Sequence, residues 1–141
     1  MNWNEFARKD PFWAILTSKN KYGNRWNKNE FFLSGKQTLQ SHLKQLELCD
    51  IELDLGIALD FGCGTGRLTQ ALGNIFKEVH GVDISNEMIQ LAIKHQENDN
   101  IVYHHNAKED LSFFKNKYFN FIYCLLTLQH IEPKYTEKYI Q

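Results

Sequence analysis

The chain has few cysteines, no long apolar run and no excess of charge of either sign. Its three cysteines, Cys49, Cys63 and Cys124, are odd in number and far apart, which fits a reducing compartment better than a disulfide scaffold. No spacing among the cysteines and histidines suggests a zinc site, so no metal is expected. The N-terminal residues contain no apolar run of signal-peptide or membrane length, which predicts a cytoplasmic protein without a membrane partner.

The balance of charge argues against one class of partner. Sixteen basic residues stand against seventeen acidic ones, which leaves a formal net charge of −1 over 141 residues. A protein of this charge has no broad positive field for a polyanion, so nucleic acid is not expected as a partner. Hydrophobic residues make up 43% of the chain and aromatic residues 13%, which is enough for the core of one globular domain.

The most informative segment that is present covers residues 58–68, which read Ala-Leu-Asp-Phe-Gly-Cys-Gly-Thr-Gly-Arg-Leu. Gly62, Gly64 and Gly66 lack a Cβ, so they allow positive φ and let a ligand approach the backbone closely. The third glycine comes one position too early for the dinucleotide fingerprint, in which Arg67 would have to be glycine. The Gly-Lys-Ser or Gly-Lys-Thr ending of a phosphate-binding loop is also absent. The segment therefore predicts a nucleotide-type site for a ligand other than NAD, FAD, ATP or GTP.

The residues after this loop predict a βαβ unit. Apolar residues at helical spacing follow the glycines, and a second strand at residues 78–82 ends in Asp83. An acid at this point, 21 residues after Gly62, is placed to accept hydrogen bonds from ribose hydroxyls. Ser85 is expected to cap the next helix. The positions at helical spacing are Leu68, Ala71, Leu72 and Ile75 in the first helix and Met88, Leu91, Ala92 and His95 on one face of the second.

Three segments, in order and at proper separations, resemble the class I S-adenosylmethionine-dependent methyltransferases. Residues 59–68 look like the first motif of that family, and residues 81–88 look like the next. Residues 118–131 are similar to the family's fourth strand and the active-site loop after it. The resemblance covers roughly residues 55–140. It implies an α/β fold, a Rossmann-like three-layer sandwich whose parallel sheet has the strand order 3-2-1-4, with a helical segment at the N-terminus.

The resemblance also implies S-adenosylmethionine as the cofactor and S-adenosylhomocysteine as the product. Asp60 would lie near the ammonium group of the methionine part, and Asp83 would bind the ribose. Ile84 and Met88 would pack on the adenine. Asn106 stands where the family usually has an Asp that receives the adenine amino group, and its amide oxygen can still accept that hydrogen bond. The full set of cofactor-binding candidates is Asp60, Gly62, Gly64, Gly66, Asp83, Ile84, Met88, Asn106, Ala107 and Leu125.

The loop after the fourth strand is expected to contact the methyl acceptor. His130 is the candidate for removing a proton from the acceptor, and the alternative is a structural or pocket-lining histidine. By the same resemblance, Leu125 offers its carbonyl to the methionine ammonium. The Asp-Pro-Pro-Tyr, Asn-Pro-Pro-Tyr and Pro-Cys signatures of the DNA-modifying enzymes are absent. A small molecule methylated at oxygen, nitrogen or carbon is therefore the expected acceptor, with a protein side chain as the alternative.

The N-terminal third differs in composition from the rest. Residues 1–35 are rich in aromatic side chains and are predicted to form a helical lid segment in front of a partial cofactor-binding domain at residues 36–141. In many members of the resembled family such a segment folds over the cofactor and shapes the acceptor pocket. Plain packing of the aromatic residues onto the domain is the alternative. Leu39, Leu43 and Leu46 predict an amphipathic helix just before the first strand.

The chain accommodates only the first four strands of the resembled fold. The third strand is predicted at residues 101–105 and the fourth at residues 120–126, which leaves an apolar edge exposed. A truncated chain, or an edge covered by a second copy or another partner chain, would account for this arrangement. The main alternative to a methyltransferase is a non-catalytic module that binds the cofactor or acts as a scaffold. A non-methylating nucleotide enzyme with the same fold is the third hypothesis.

Overall fold

A computed structural model describes residues 2–140 of the chain, in which three helices precede an alternation of strands and helices. The N-terminal helices are α1 (Trp3–Lys9), α2 (Pro11–Ile15) and α3 (Lys28–Leu48). The following elements are β1 (Ile57–Phe61), α4 (Arg67–Gly73), β2 (Glu78–Asp83), α5 (Asn86–Lys94), β3 (Ile101–His105), β4 (Phe121–Tyr123), a 3-10 helix (Leu128–His130) and α6 (Pro133–Ile140).

The four strands form one parallel sheet in the order β3-β2-β1-β4. β1 pairs with β2 over its whole length, from Ile57 opposite Glu78 to Phe61 opposite Val82. β4 pairs with β1 at three positions only. The predicted α/β fold and strand order are confirmed. Because all strands run in the same direction, the loops that follow their carboxyl ends lie at one edge of the sheet.

Helices α3 and α4 cover one face of the sheet. Helix α4 is buried along most of its length, and Leu72 is fully buried there. Gly35 allows α3 to cross α4 closely, because a Cβ at this position would overlap the carbonyl oxygen of Arg67. The buried cluster beneath these helices consists of Leu39, Ala58, Leu68, Ala71, Leu72, Phe76, Val79, Ile101 and Tyr123.

The fourth strand is shorter than the sequence predicts. The expectation of a strand at residues 120–126 is wrong in its length, since β4 comprises Phe121–Tyr123. Leu126 has a φ of 61°, a left-handed conformation that ends an extended strand. The Thr127 hydroxyl then donates to the carbonyl oxygen of Phe61 at 3.1 Å and turns the chain back over β1.

Two helix boundaries also differ from the prediction. Ile75 lies outside α4, which ends at Gly73, although its side chain still packs against the buried cluster. The helix predicted around Leu39 is confirmed, but it begins earlier, where the Asn27 side chain accepts hydrogen bonds from two backbone amides of α3. The proposed division between residues 35 and 36 falls inside this continuous helix. The two-part domain organisation therefore stays a prediction.

Three further properties bear on the environment of the protein. Cys49 and Cys124 are exposed and Cys63 is buried, and all three are free thiols. Among residues 2–140, no helix combines the length and the apolar character that crossing a membrane would require. The same residues contain no group of three or more His, Cys, Asp or Glu side chains arranged to hold a metal ion.

Candidate cofactor site

A loop of alternating glycines, residues 62–66, joins β1 to α4 at the carboxyl edge of the sheet. Its three glycines have φ values of 78°, 54° and 83°, which are rarely adopted by residues with a side chain. The backbone amides of Gly62 and Cys63 both donate to the carbonyl oxygen of Val82, at 2.8 and 3.0 Å. These two hydrogen bonds therefore fix the loop to the end of β2 without any contribution from a ligand.

The glycines are also required by close packing around this loop. A Cβ at Gly62 would overlap the side chain of Thr127, and one at Gly64 would lie 2.6 Å from the Cδ1 atom of Ile15. At the third glycine a Cβ would overlap the hydroxyl of Tyr103. Segments from the N-terminus, from β3 and from the loop after β4 thus approach the glycine backbone. The close approach of a ligand to this backbone stays a prediction.

Asp83 connects the glycine loop to the start of α5. Its Oδ2 atom accepts a hydrogen bond from the Gly64 amide at 2.8 Å, and its Oδ1 atom accepts one from the Ser85 amide at 2.8 Å. Burial raises the pKa of Asp83, and these backbone donors oppose that rise. Ser85 caps α5 as predicted, accepting from the Met88 amide at 3.2 Å. Each oxygen of Asp83 keeps a further lone pair, so it can still accept from a ribose hydroxyl.

Asp60, the second acid of the site, lies on β1 just before the loop and is only 2% exposed. Its Oδ2 atom accepts a hydrogen bond from the Thr69 hydroxyl at 2.6 Å. Burial raises the pKa of Asp60 to about 6, opposed by the Thr69 hydrogen bond and increased further by the charge of Asp83. The carboxylate therefore lies under the loop, and no direct contact surface for a ligand is open in this arrangement.

Asn106 follows β3 and is held by its own loop. Its amide oxygen accepts from the Lys108 amide at 3.0 Å, and its NH2 group donates to the carbonyl oxygen of Asp110 at 2.7 Å. The backbone amide of Asn106 donates to the carbonyl oxygen of Asp83 at 2.9 Å, which places it beside the ribose candidate. Ala107 is exposed next to it. The amide can bind adenine only through its remaining lone pair and proton.

The two predicted adenine contacts differ sharply in exposure. Ile84 is 58% exposed, directly after Asp83, so its side chain is free to cover a ligand. Met88 is 1% exposed and belongs to the packed side of α5. A contact between Met88 and adenine would need a shift of its neighbours, whereas Ile84 needs none. Their roles stay predictions.

The loop after β4 reaches the glycine loop through Thr127, a residue that the sequence did not single out. Besides its bond to Phe61, the Thr127 hydroxyl lies 3.4 Å from the carbonyl oxygen of Leu125. The Leu125 side chain packs against the buried cluster of the sheet. Its carbonyl oxygen therefore lies beside the Thr127 hydroxyl. Its contact with the methionine ammonium stays a prediction.

His130 ends the 3-10 helix and is exposed. Its ring lies 5.3 Å from the indole of Trp3 in an edge-to-face arrangement. The Gln129 Nε2 atom lies 3.2 Å from His130 Nε2. An amide nitrogen is a donor only, so in this arrangement it occupies the lone pair of that imidazole nitrogen.

Comparison with known protein families identifies the family of this chain. Residues 58–141 match the family described as "Methyltransferase domain". The chain belongs to this family. The matched region begins within β1 and includes the glycine loop, Asp83, Asn106 and His130, so every candidate residue lies inside it.

Curated relatives of this methyltransferase domain include the ubiquinone biosynthesis O-methyltransferase of Aromatoleum aromaticum. The two sequences are 27% identical over 95 residues, which represent 63% of this chain and 41% of the relative. The chain thus spans about two fifths of the length of this relative. A second such enzyme, from Paraburkholderia phymatum, is 31% identical over 75 residues and is covered to 32%.

Solved structures give the same fold. The phosphoethanolamine N-methyltransferase 1 of Haemonchus contortus, crystallised with phosphoethanolamine and S-adenosylhomocysteine, superposes with a TM-score of 0.72 at 14% identity. That comparison covers 98% of this chain and 27% of the other. At this identity the likeness establishes the fold alone, and it agrees with the Rossmann-like methyltransferase arrangement predicted from the sequence.

The methyltransferase domain brings together most of the predicted cofactor residues and adds several that the sequence did not indicate. Asn4 of α1 accepts a hydrogen bond from the Ser85 hydroxyl at 2.6 Å, and Arg8 forms an ion pair with Glu87. Ile15 lies against the glycine loop. The aromatic composition of the N-terminal third was the only signal for these contacts, because nothing in their spacing relates them to residues about eighty positions away.

Proposed function

We propose that this chain is the cofactor-binding part of a methyltransferase that transfers a methyl group from S-adenosylmethionine to a small molecule. The observation that carries the proposal is the position of Asp83, whose carboxylate is fixed by Gly64 and Ser85 at the open end of the sheet. Membership of the methyltransferase-domain family supports it. The solved relative with bound S-adenosylhomocysteine supports the same cofactor.

The residues present fit a cofactor with a net positive charge. Neither Asp60 nor Asp83 has an ion-pair partner among the residues that the structure describes. The glycine loop presents backbone rather than side chains to a ligand. Gly62, Gly64 and Gly66 would lie against the methionine part, and Asp83 would accept from the ribose. The adenine would meet Ile84, Met88, Asn106 and Ala107, and the ammonium group would meet the carbonyl of Leu125.

Methyl transfer requires the protein mainly to position the methyl donor and the acceptor. The bound cofactor supplies a methyl group that an acceptor lone pair attacks in line, as the carbon–sulfur bond breaks and leaves a neutral thioether. In this chain, Asp83 and the glycine loop hold the donor in place, and His130 takes the acceptor proton on a ring nitrogen. Gln129 must release His130 Nε2 before that nitrogen can accept a proton.

The acceptor is proposed to be a small molecule methylated on oxygen. Two curated relatives are O-methyltransferases, which supports oxygen over nitrogen or carbon. The half-buried rings of Trp3 and Phe6 lie on the same side as His130 and suit a flat apolar acceptor.

The N-terminal residues 1–35 are proposed to act as a lid over the bound cofactor. Consecutive residues Trp3 and Asn4 contact His130 after β4 and Ser85 after β2, so the start of α1 bridges the loops on both sides of the glycine loop. Ile15 touches that loop directly. A segment attached in this way excludes water from the transfer step.

A non-catalytic binding module is the second candidate function, and the edge at β4 favours it. Ile122 of this short strand is 62% exposed, and Leu126 in the segment after it is 63% exposed. We propose that a second copy of the chain or another polypeptide covers this edge. The free thiols of Cys49 and Cys124 support a cytoplasmic location, because exposed cysteines persist in reducing compartments.

Isothermal titration calorimetry with S-adenosylmethionine, S-adenosylhomocysteine and NAD tests the proposal. Both sulfur cofactors should bind and NAD should not. Asp83→Ala should weaken binding, while Glu52→Gln, a change at an exposed position before β1, should not. Binding of NAD alone would refute the assignment. Product formation across a panel of hydroxyl acceptors distinguishes the enzyme from the binding module, which would show cofactor binding and no turnover.

A further inference from the structure

Two stacked histidines lie on the face of the sheet opposite α4. Val79 of β2 packs into the buried cluster beneath α3 and α4, so the side chain of His80, the next residue, is directed to the other face. The His104 ring of β3 stacks on it, with ring centroids 5.0 Å apart and planes inclined by 15°. His80 is 6% exposed, and His104 is half-buried. This histidine pair therefore lies outside the set of candidate cofactor residues.

The hydrogen bonds of the histidine pair define where its protons lie. His80 Nδ1 lies 2.7 Å from His104 Nε2, so one of these nitrogens donates and the other accepts. His80 Nε2 lies 2.6 Å from Glu78 Oε1, and an ionised carboxylate only accepts. Neutral His80 therefore carries its proton on Nε2, and His104 donates to it from its own Nε2. The result is one continuous chain of donors from His104 through His80 to Glu78.

This arrangement accommodates one added proton but not two. With one, His80 is positively charged beside Glu78 and donates from Nδ1 to His104, whose own proton then lies on Nδ1. With two, both nitrogens that face each other across 2.7 Å would carry a hydrogen, and two positive charges would stack at 5.0 Å. The second proton therefore breaks the hydrogen bond and separates the rings.

The charged groups that face the histidine pair are Glu78 of β2 and, through its hydroxyl, Tyr118 from the segment after β3, while Lys77 acts on Glu78 by its charge. The hydrogen bond from His80 is the first cause that lowers the pKa of Glu78, so this carboxylate stays charged near neutral pH. The hydrogen bond to Glu78 raises the pKa of Tyr118, which keeps its proton. Burial, followed by the charge of His80, lowers the pKa of His104 from its ordinary 6.5.

Aromatic side chains from the segment between β3 and β4 cover the histidine pair. This segment, residues 106–120, is called the aromatic loop and joins the two strands through turns. The Phe114 ring lies edge-to-face with both imidazoles, 5.3 Å from His80 and 5.2 Å from His104. On β1, the neighbour of His80 in register is the apolar Leu59, which adds no charge. The covering rings are Phe113, Phe114, Tyr118 and Phe119. Separation of the two imidazoles therefore disrupts the surface on which the aromatic loop rests.

We infer that the histidine pair is a pH-sensitive latch for the aromatic loop, holding the loop on the sheet until both rings are protonated and then releasing it. The loop begins at Asn106, whose amide donates to the carbonyl oxygen of Asp83, so the latch acts on a segment next to the candidate cofactor site. A latch of this kind works without a cofactor and is independent of the proposed function.

The latch should weaken as the pH falls. The closed state takes up one proton and the open state takes up two, and the lowered pKa of His104 belongs to the closed state. The latch is therefore at full strength above about pH 6.5, the ordinary pKa of histidine, and loses strength below it. Because opening binds one extra proton, its equilibrium constant should rise up to about tenfold for each pH unit.

Hydrogen exchange, followed by NMR on the ligand-free chain from about pH 7.5 to about pH 5, tests the latch. The Phe114 amide donates to the Leu111 carbonyl at 2.9 Å within the aromatic loop. Its protection factor, from which the intrinsic pH dependence of exchange is divided out, should fall up to about tenfold per pH unit below about pH 6.5. Amides of α4 should keep their protection over the same range.

Three variants separate the latch from other titrations. A glutamine amide in His104→Gln can donate to His80 Nδ1 as the neutral ring does, and it cannot be protonated, so the aromatic loop should stay protected at low pH. The matched control is His105→Gln, which removes the next histidine of β3, on the other face, and should retain the acid response. Glu78→Gln removes the counter-charge and should make the loss of protection steeper, because opening then takes up more than one proton. This third variant serves if His104→Gln does not fold.

Protection of the Phe114 amide that stays constant down to about pH 5 in the unmodified chain would overturn the latch. An equal loss of protection in His104→Gln would assign the effect to another group and also overturn it. A simultaneous loss in α4 would show global unfolding rather than release of the aromatic loop, with the same consequence. Failure of the sulfur cofactors to bind, by contrast, would refute the proposed function and leave the latch intact.

Discussion

The glycine-loop unit, residues 57–94, and the β4 unit, residues 120–140, contribute strands to one sheet but differ in burial and in the extent of strand pairing. In the first, α4 is buried from Arg67 to Leu72, and β1 and β2 pair along their whole length. In the second, β4 pairs at three positions, and Ile122 is largely exposed. The glycine-loop unit is therefore stabilised by its own packing, whereas the β4 unit depends on a few individual contacts.

Under the proposed function, this contrast separates the holding of the methyl donor from the binding of the acceptor. Holding the donor requires backbone fixed to within fractions of an ångström, which the bonds from Gly62, Cys63 and Gly64 to β2 and Asp83 provide. Receiving an acceptor tolerates loops that move and adapt. Substitutions in the glycine-loop unit should therefore have the largest effects on the free energy of unfolding, and substitutions in the β4 unit the smallest.

Truncation of a buried side chain in the glycine-loop unit should have the largest effect. Leu72→Ala removes a fully buried side chain and should lower the free energy of unfolding by about 2–5 kcal/mol in urea titrations. The matched change Ile122→Ala, on a position of β4 that is exposed in the single chain, should alter it by about 0.5 kcal/mol or less when the protein is too dilute for a second copy to cover this edge. Equal losses in the two variants would show that β4 is buried in solution and would end the comparison.

Removal of the buried charge in the same unit should stabilise the fold. The pKa of Asp60 rises from its ordinary 3.8 to about 6, so this group favours folding fully below about pH 4, and that contribution is lost as the pH rises through about 6. Asp60→Asn should therefore increase the free energy of unfolding by about 1–3 kcal/mol near pH 7.5 and by little near pH 4. The measurement is a series of urea titrations over pH. If Asp60→Asn were less stable than the unmodified chain at neutral pH, burial of the charged Asp60 would not destabilise the fold, and the explanation would be wrong.

Local sequence signals were sufficient for the glycine-loop unit and insufficient for the rest. The alternating glycines, Asp83 and the cap at Ser85 are each specified by neighbours in sequence, so the βαβ order and the cap are predicted correctly, although α4 ends before Ile75. The length of β4 was not predictable, because its end depends on the left-handed Leu126 and on the bond from Thr127 to Phe61. Apolar composition favoured a longer strand, and the tertiary contact determined the outcome.

The same limit applies inside the candidate site. The sequence indicated Asp60 and Met88 as cofactor-binding candidates, but it could not reveal that both are almost fully buried. Burial is a property of what covers a residue. Asp60 lies against Thr69 of the neighbouring helix α4, whereas the start of α5, which carries Met88, is contacted by Asn4 and Arg8 of the distant helix α1. Contacts such as Trp3 with His130 have no sequence periodicity at all, so only the folded chain discloses them.

An intermediate effect is expected where β4 is tied to β1. The Asn120 side chain accepts from the Ile57 amide and donates to the Asp54 carboxylate, both at 2.7 Å. Asn120→Ala should lower the free energy of unfolding by about 1 kcal/mol, since the bonds are solvent-exposed. Asn120→Asp should lower the free energy of unfolding at neutral pH only, because it places a second carboxylate beside Asp54 and the two repel each other only when both are charged. An Asn120→Asp variant that loses equal stability at about pH 3 would contradict this explanation.

The smallest effect should come from the ion pair that attaches α6 to the loop after β3. Lys138 Nζ lies 2.8 Å from Glu109 Oε2, and both side chains are more than half exposed. Lys138→Met keeps the aliphatic stem and should change the free energy of unfolding by less than about 0.5 kcal/mol, with amide exchange in α6 accelerating more than exchange in α4. Tyr139→Phe, which removes the neighbouring bond to the Lys108 carbonyl, should accelerate the same amides. If either variant also accelerated exchange in α4, the two units would unfold together, and the division between them would be incorrect.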